Sequence, residues 1–235
     1  MPMLKVAQLH AGYAGSEVLH GIDLHVDEGE GVVVLGPNGH GKTTLLRAIT
    51  GLLPSRSGEV VLKGKDITRW RADLIAASGM VHIPQGDLLF PEMTVRENLL
   101  MGAYNGPTWR ERKARLDRVY ELYPWLAERG GQLARTLSGG ERRMLALGRG
   151  LMARAEILLI DEPSLGLAPL ATQQIYASIR TIKEEGMALL LADENANHVA
   201  DLADRVYLLE TGMFVREGPA EQLLQDRALL ESYLG

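Results

Sequence analysis

The chain has 235 residues, with 25 basic and 30 acidic side chains, a net charge of −5 and 46% hydrophobic residues. This length suits one large α/β domain, or one domain that contains an inserted subdomain. No apolar run approaches the roughly 20 residues that cross a bilayer, and the first residues lack the form of a signal peptide. The absence of cysteine excludes disulfides and agrees with a cytoplasmic location, and the acidic balance argues against a general nucleic-acid binder.

The N-terminal part of the chain reads as strands that lead into a glycine-rich loop. Apolar and polar residues alternate over Leu4–Leu9, and further strands are predicted over Ile22–Val26 and Gly31–Leu35. Tyr13 is predicted to lie in a loop after the first strand. Its ring either packs on the surface or stacks on a base, and the residues around it do not decide between the two.

The glycine-rich loop lies between a predicted buried strand and a helix predicted over Thr43–Ile49. It fits the phosphate-loop pattern with Gly36, Pro37, Asn38, Gly39, His40, Gly41, Lys42, Thr43 and Thr44. Its glycines let backbone N–H groups form a nest around the β- and γ-phosphates, and the helix start adds partial positive charge. Lys42 would neutralise phosphate charge, and the Thr43 hydroxyl would bind Mg²⁺. The pattern predicts a nucleotide-triphosphate site.

A short apolar strand is predicted over Met80–Pro84, and it ends at Gln85. An amide placed near bound phosphate can contribute to Mg²⁺ or water coordination, although a lone Gln after a strand has no meaning by itself. The next fifty residues show helical periodicity and no strand signal. We therefore expect a helical subdomain, roughly 88–153, inserted into a single domain that spans 1–235.

Two features of this helical part are predicted in more detail. Thr94 and Glu97 have the spacing of a capping box at a helix start. The aromatic side chains are expected to fill a local core, because such residues usually do. They are Trp109, Tyr120, Tyr123 and Trp125.

A second helix start is predicted at Ser138, whose hydroxyl is a good N-cap and whose partner three residues on is Glu141. This capping box explains the Ser and the Glu but not the two glycines between them, Gly139 and Gly140. Glycines weaken a helix start unless the backbone must approach something closely. Free N–H groups at this helix start form a second candidate anion site.

Four apolar residues, Ile157–Ile160, run directly into Asp161 and Glu162. A buried parallel strand carries carboxylates only at its C-terminal end, where ligands bind in open α/β sheets. Asp161 would hold Mg²⁺ through water, and Glu162 would polarise the attacking water. The alternative is a strand that simply ends in acidic residues.

The C-terminal part returns to alternating helices and strands. The predicted elements are a helix over Pro169–Glu185, a strand over Ala188–Ala192, a helix over Asn195–Leu202, strands over Val206–Glu210 and Met213–Val215, and short helices to Gly235.

The phosphate loop, Gln85, the Leu137–Glu141 segment and the Asp161–Glu162 pair occur in the order and spacing of ABC-type ATPases, which the chain resembles over nearly its whole length. The resemblance implies an α/β phosphate-loop NTPase core, in which a mixed sheet is flanked by helices. It also implies an inserted helical subdomain and an N-terminal antiparallel β portion. ATP, Mg²⁺ and ATP hydrolysis are implied with them.

The resemblance assigns further roles. Tyr13 matches the adenine-stacking aromatic, and Gln85 matches the loop that links the site to a membrane partner. The residues Ser138, Gly139, Gly140 and Glu141 match the signature that grips the γ-phosphate bound to the opposite subunit. Two subunits, the same or different, would then sandwich two ATP molecules head to tail, which gives the doubled glycines a reason.

Three segments resemble one branch of the family, the ATPase subunits of branched-chain amino-acid, urea and amide uptake systems. They are 89–98, 164–169 and 232–235. The resemblance implies two membrane permease subunits, an external solute-binding protein that acts indirectly, no nucleic acid, and a peripheral location on the cytoplasmic face of the membrane. An ATPase of a lipid-extracting exporter and a soluble ABC ATPase acting on nucleic acid or ribosomes are the alternatives.

The chain departs from the family pattern at three positions. Glu194 stands where the switch His is expected, and Ala168 replaces an Asp. His40 replaces a small residue in the phosphate loop, and its ring is expected to contact the partner subunit. An acid at the position that faces γ-phosphate is unfavourable unless it is protonated, bound to metal or turned away. Glu194 and Ala168 therefore favour a further hypothesis, a nucleotide-gated dimerisation subunit with little hydrolysis of its own.

Overall fold

A computed structural model describes residues 1–104 and 106–225, apart from the side chains of residues 56, 106 and 107. The final segment that carries part of the resemblance, 232–235, lies outside the described residues, as do the last of the predicted C-terminal helices.

The strands form two sheets in the described part of the chain. In chain order they are β1 (Leu4–Tyr13), β2 (Ser16–Val26), β3 (Gly31–Leu35), β4 (Ser55–Leu62), β5 (Lys65–Asp66), β6 (Met80–Ile83), β7 (Ile157–Asp161), β8 (Ala188–Asp193), β9 (Arg205–Glu210) and β10 (Met213–Pro219). The smaller sheet has the order β2-β1-β4-β5 and is antiparallel. The larger has the order β10-β9-β3-β8-β7-β6 and is parallel except for β10. The mixed sheet and the antiparallel N-terminal portion are as predicted.

The helices pack around and between these sheets. They are α1 (Lys42–Ile49), α2 (Ala72–Ala77), α3 (Val95–Gly102), α4 (Gly106–Leu122), α5 (Pro124–Glu128), α6 (Gly139–Met152), α7 (Pro169–Glu184), α8 (Ala196–Val199) and α9 (Ala220–Leu223). Both predicted capping boxes are confirmed, at Thr94 on α3 and at Ser138 on α6. The helix expected from Asn195 is only the short α8, although Asn195 caps it as its side chain accepts a hydrogen bond from Asn197 N.

The central strands of the larger sheet bring the predicted site residues to one edge. Every residue of β3, β7 and β8 is buried, in keeping with their continuous apolar runs. These three strands are parallel neighbours, with Leu35 opposite Asp193 and Asp161 opposite Ala192. Their carboxyl ends therefore lie side by side. The phosphate loop and the acidic pairs Asp161–Glu162 and Asp193–Glu194 all lie at this edge of the sheet.

The helices between β6 and β7 have a hydrophobic core of their own, built on Val95, Leu99, Leu116, Val119, Leu126 and Leu145 among others. Tyr123 is buried in this core, and Tyr120 and Trp125 pack against it, as expected. Trp109 does not: 43% of it is exposed, so its assignment to the core is wrong. It lies near the N-terminal end of α4, beyond the reach of the apolar stripe that faces α6.

Tyr13 lies at the end of β1 and not in a loop, because β1 continues to pair with β2 as far as the Tyr13–Ser16 pair. The residue before Tyr13 is Gly12, which this strand pairing requires. A Cβ on Gly12 would lie 2.1 Å from the Ser16 carbonyl oxygen, so only glycine permits this close strand approach.

His82 on β6 gives the fold an expected dependence on pH. Neither ring nitrogen has a hydrogen-bond partner among the described residues, and burial, with Arg47 nearby, lowers the pKa of His82 to about 4. A histidine with a lowered pKa stabilises the fold above its unfolded pKa of about 6.5, and this stability is lost as the pH falls towards 4. We expect the free energy of unfolding to fall by roughly 2 kcal/mol from this group between pH 7.5 and 5.

Denaturant unfolding of the wild type and of His82→Phe at both pH values measures this effect. The Phe variant should lack the His82 part of the pH dependence, whereas His20→Gln, which removes an exposed histidine, should retain it. Equal pH dependence in the wild type and His82→Phe would show that His82 does not stay neutral in the folded protein.

Candidate functional site

The phosphate loop connects β3 to α1 and is closed on itself by Lys42. The side chain is only 3% exposed, and its Nζ donates hydrogen bonds to the carbonyl oxygens of Gly36 at 2.6 Å and Pro37 at 3.1 Å. Gly41, at the N-cap of α1, has a φ of 112° that disfavours any side chain. The loop therefore has its cation at the centre and an uncapped helix start beside it, the arrangement that binds phosphate.

Lys42 also joins two other predicted site residues, which come from distant parts of the chain. Its Nζ lies 2.9 Å from Oε1 of Glu162, and Nε2 of Gln85 donates to Oε2 of the same carboxylate at 2.9 Å. Glu162 is 5% exposed and has a φ of 41°, in the left-handed region that a residue with a side chain rarely adopts. Strain of this kind persists only where the surroundings impose it, and it often marks functional sites.

Asp161 is suited to bind a cation. Both of its carboxylate oxygens are buried, and neither accepts a hydrogen bond within the described residues. Burial raises the pKa of Asp161, the charge of Glu162 adds to the rise, and the neighbouring Thr43 hydroxyl and Lys42 oppose it. A buried carboxylate without a partner is costly, and a divalent cation would remove that cost. Thr43 and Asp161, two of the three predicted metal ligands, thus offer oxygen donors of the kind that Mg²⁺ prefers.

A cavity of about 480 Å³ lies over the phosphate loop. Its lining combines Tyr13 and Val18 from the antiparallel sheet with the phosphate loop, Gln85, Glu162 and Leu165. Tyr13 is 44% exposed, and its hydroxyl accepts a hydrogen bond from Arg47 at 3.3 Å. The structure thus brings the predicted base-stacking ring, the phosphate loop and Glu162 to one cavity.

The signature residues Ser138, Gly139, Gly140 and Glu141 do not line this cavity. The Ser138 N–H donates to Glu141 Oε2 at 2.7 Å, and Arg129 also donates to the Glu141 carboxylate. Gly140 has a reason to be glycine within its own subunit, since a Cβ there would lie 2.7 Å from Ala171 Cβ on α7. Close packing of α6 against α7 thus requires one glycine of the pair.

Gln85 is connected to the signature helix through the residues that follow it. The Asp87 carboxylate accepts a hydrogen bond from Arg142 Nε at 2.7 Å, and the Gly86 carbonyl accepts one from Arg143 at 2.9 Å. Both arginines lie on α6. These contacts join α6 to the segment that follows Gln85, and the Gln85 side chain contacts the Glu162 carboxylate.

Glu194 contacts the phosphate loop directly, because its Oε2 accepts a hydrogen bond from Asn38 Nδ2 at 2.6 Å. Its carboxylate lies outside the buried network of Lys42 and Glu162, and the residue is exposed. Ala168 is the N-cap residue of α7 and makes no side-chain capping hydrogen bond.

His40 makes its side-chain contact within the chain. Its Nδ1 accepts a hydrogen bond from the Thr211 N–H at 3.2 Å, and its carbonyl accepts one from Gly212 N at 3.0 Å. These residues form the turn between β9 and β10. His40 thus anchors the phosphate loop to that turn, and its contact with a partner subunit stays a prediction.

Sequence reasoning missed Asp193, which precedes Glu194 at the end of β8. Its carboxylate accepts hydrogen bonds from the Tyr176 hydroxyl and from the backbone N–H groups of Glu194 and Asn195, the latter two at 2.8 and 2.9 Å. Burial raises the pKa of Asp193, and the Tyr176 hydroxyl opposes the rise. Asp193 therefore fixes the backbone of Glu194 and Asn195, which we call the switch segment. The signal was the same as for Asp161: an acid that directly follows a buried apolar strand.

The Glu194 contact predicts a change in ATP affinity. In Glu194→Gln the hydrogen bond from Asn38 can persist while a negative charge beside the phosphate loop is removed, so we expect the KM for ATP to fall about fivefold through reduced repulsion. Steady-state hydrolysis measures this, with Glu128→Gln as a control that removes an exposed charge from α5. An unchanged KM would mean that Glu194 turns away from bound phosphate. A large rise in kcat for Glu194→His would support a weakly hydrolytic wild-type site.

Comparisons with known proteins agree with this geometry. Residues 19–165 match the family model described as ABC transporter. The chain is 38% identical over 233 residues to the high-affinity branched-chain amino acid transport ATP-binding protein BraG of Pseudomonas aeruginosa, covering 99% of this chain and all of that protein. It is 35% identical over 224 residues to the probable branched-chain amino acid transport ATP-binding protein LivF of Archaeoglobus fulgidus, covering 95% and 94% of the two chains. It is 31% identical over 237 residues to the lipopolysaccharide export system ATP-binding protein LptB of Haemophilus influenzae, covering 100% and 98%.

A nucleotide-free ATP-binding cassette from an ABC transporter superposes on this structure with a TM-score of 0.87 at 28% identity, covering both chains completely. An ATP-binding cassette of an ABC transporter in its ADP conformation gives 0.86 at 26% identity, covering 100% and 99% of the two chains. The chain therefore belongs to the ABC transporter family, as a nucleotide-binding ATPase.

Within the part of the chain that the structure describes, no helix is both long and apolar enough to cross a membrane. The same residues contain no cluster of three or more His, Cys, Asp or Glu side chains that could hold a metal ion.

Proposed function

We propose that this chain powers a membrane importer for branched-chain amino acids or related small solutes such as urea or amides. The observation that carries the proposal is the 38% identity to BraG over essentially the full length of both chains. Its likeness to LivF supports the same branch. The solute itself would be bound by the membrane subunits and by an external binding protein, so this chain supplies the ATP-driven step.

The proposed chemistry assigns a role to each residue of the site. The phosphate loop from Gly36 to Thr44 and Lys42 bind the β- and γ-phosphates, and Tyr13 stacks on the base. Thr43 and Asp161, with Gln85, would hold Mg²⁺, which neutralises phosphate charge when bound. Glu162 accepts a hydrogen bond from the attacking water and orients it in line with the γ-phosphate. Its present contact with Lys42 has to open when phosphate takes its place beside the lysine.

The site of one subunit is proposed to be completed by a second ATPase subunit. Ser138, Gly139, Gly140 and Glu141 lie outside the cavity over their own phosphate loop, which supports their use on the nucleotide of a partner. The start of α6 would offer its backbone N–H groups to that γ-phosphate. Ala168 and Glu194 would modify how the two sites of such a dimer influence each other.

Membrane subunits are proposed to bind an apolar groove of about 460 Å³ between the sheet and the inserted helices. Its lining includes the exposed side chains Leu52, Leu88 and Phe90, and Met101 of α3. A short amphipathic helix of a membrane subunit would bury this surface. It would also contact the segment after Gln85, and through it Glu162. We place the chain at the cytoplasmic face of the inner membrane as a peripheral subunit.

An exporter is the second candidate. The 31% identity to LptB over the full length of the chain favours it, and that protein is the ATP-binding protein of a lipopolysaccharide export system. The groove and the site would serve either direction of transport, because the ATPase acts through its membrane partners.

Co-purification from native cells tests the proposal. The tagged chain is extracted in mild detergent, and the bound proteins are identified by mass spectrometry. We expect two membrane permease subunits and a second ATPase, with the ligand of the associated binding protein naming the solute. Recovery of lipopolysaccharide-handling membrane proteins would select the exporter, and recovery of soluble or ribosomal partners alone would overturn transport. A variant with Leu88→Glu and Phe90→Glu should lose the membrane subunits and keep ATP binding.

A further inference from the structure

A second cavity, of about 330 Å³, lies between α3 and α4 and is rimmed by positive charge. It is lined by Arg96, Leu100, Arg110, Arg112, Lys113 and Leu116, which we call the basic patch. Its four cationic residues are all exposed. Within the described parts of the chain, none of them lies within 4.0 Å of a carboxylate in an ion pair, whereas the intervening Glu111 is paired with Arg115 at 2.7 Å. Arg112 donates one hydrogen bond to the Trp109 carbonyl at 2.7 Å. The patch thus concentrates four cations that have no carboxylate partner within the described residues, on a chain whose net charge is −5.

Two exposed aromatic side chains lie close in sequence to these cations. Tyr104 is 76% exposed and Trp109 is 43% exposed, and both belong to the segment that joins α3 to α4 or to the first turn of α4. The Arg112 guanidinium lies 4.5 Å from the centre of the Trp109 ring. Exposed Tyr and Trp beside Arg and Lys is the combination found where proteins meet the headgroup region of a membrane, because the rings are amphipathic and the cations attract anionic lipid.

The position of the basic patch agrees with such a surface. Arg96 and Leu100 lie one turn apart on α3 and face the patch, whereas Met101 and Gly102 of the same helix line the apolar groove. The patch and the groove therefore lie on two sides of one short helix. If membrane subunits occupy the groove, the patch lies beside them.

We propose that the basic patch, with Tyr104 and Trp109, binds the phosphate-bearing headgroups of anionic phospholipids at the membrane surface. The guanidinium groups offer paired donors that match phosphate oxygens, and Lys113 adds a compact positive charge. Leu100 and Leu116 form apolar walls that fit the glycerol and upper acyl region of a lipid better than a fully hydrated anion. The inference depends on the proposed function only for the orientation of the chain at the membrane, and vesicle binding can be measured without any transporter.

Vesicle sedimentation tests the proposal with the full chain. The vesicles contain either phosphatidylcholine alone or phosphatidylcholine with phosphatidylglycerol. The patch variant carries Arg96→Gln, Arg110→Gln, Arg112→Gln and Lys113→Gln. The control variant loses the same number of exposed cations from the antiparallel-sheet region, through Lys5→Gln, Lys65→Gln, Arg69→Gln and Arg71→Gln. Thermal unfolding and basal ATP hydrolysis, which neither set of residues is expected to affect, verify that both variants are folded.

We expect the wild type to bind the anionic vesicles and not the neutral ones, and added salt to weaken this binding. Each cation near an anionic surface contributes about fivefold in affinity, so the patch variant, which loses four cations, should bind roughly 600-fold more weakly. The control variant should retain the binding of the wild type. We expect brominated lipid to quench the tryptophan fluorescence of the wild type. Trp109→Phe should lose the part of this quenching that comes from Trp109, whereas Trp70→Phe should retain it.

Three results would overturn the proposal. One is equal loss of vesicle binding in the patch and control variants, which would indicate a general effect of net charge. Another is binding of the wild type to neutral vesicles as strong as to anionic ones. The third is saturable binding of inorganic phosphate to the patch at constant ionic strength without vesicle binding, which would assign the patch to a soluble anion. The co-purification of membrane subunits, which tests the proposed transport function, does not depend on any of these three results. The lipid-binding proposal and the transport proposal can therefore fail separately.

Discussion

Glu162→Gln is expected to lower kcat for ATP hydrolysis by at least about 100-fold, the usual contribution of a positioned general base. The carboxylate follows β7 directly, is 5% exposed, and is held by Lys42 and Gln85 within reach of the phosphate loop. The amide side chain has the same size but accepts a proton from water far less readily. Phosphate release measures kcat, and equilibrium binding of ATP shows whether the nucleotide still binds.

The same variant should respond more strongly to ATP than the wild type does. Without the Glu162 charge, the buried Lys42 lacks its anionic partner, and bound phosphate restores one. We therefore expect a larger rise in Tm on ATP binding for Glu162→Gln than for the wild type. Glu128→Gln, on the exposed face of α5, is the matched control and should change neither quantity. Retained turnover in Glu162→Gln would move the role of general base to another residue.

Lys42→Met is expected to lower ATP affinity by roughly 100-fold, which corresponds to the loss of charge-assisted hydrogen bonds to phosphate. It also leaves Glu162 as a buried charge without its cation, and the carbonyl oxygens of Gly36 and Pro37 without their donor. Removing one member of a buried pair typically costs about 3–5 kcal/mol of stability. Calorimetric ATP titration and denaturant unfolding measure the two effects separately.

A double variant distinguishes the two causes. Lys42→Met with Glu162→Gln removes both charges, so it should be more stable than Lys42→Met alone while still failing to bind ATP tightly. Lys65→Met, on the exposed strand β5, is the control and should change neither stability nor affinity. If the double variant were as unstable as Lys42→Met, the loss of stability would come from the loop carbonyls and not from the unpaired Glu162.

Local sequence was sufficient for most elements of the fold. The continuous apolar runs Gly31–Leu35 and Ile157–Ile160 are typical of strands buried on both faces, and the structure has them in central parallel strands. Thr94 and Ser138 each predicted a helix start correctly, because a capping box involves residues only three positions apart. The prediction that Trp109 is part of the local core was wrong. Its burial depends on which face of α4 turns towards α6, and a charged helix with few apolar residues leaves that face undetermined.

The candidate site divides in the same way. The phosphate loop and the Asp161–Glu162 pair each consist of consecutive residues, so the sequence alone predicts their chemistry. The contacts among Lys42, Glu162 and Gln85 join residues up to 120 positions apart and depend on the order in which the strands pair. The role of Asp193 in holding the switch segment, and the anchor of His40 on the β9–β10 turn, likewise required the folded chain.

The sequence by itself determined what kind of protein this is, because a loop that binds phosphate and a strand that ends in carboxylates are local patterns of residues. The tertiary structure decided which of those residues meet: Lys42 with Glu162, Asn38 with Glu194, and Gly140 with Ala171. The physical reason is that backbone propensity and capping act over a few residues. Charge pairing and close packing depend on distances in space, which are set only when the sheets and helices assemble.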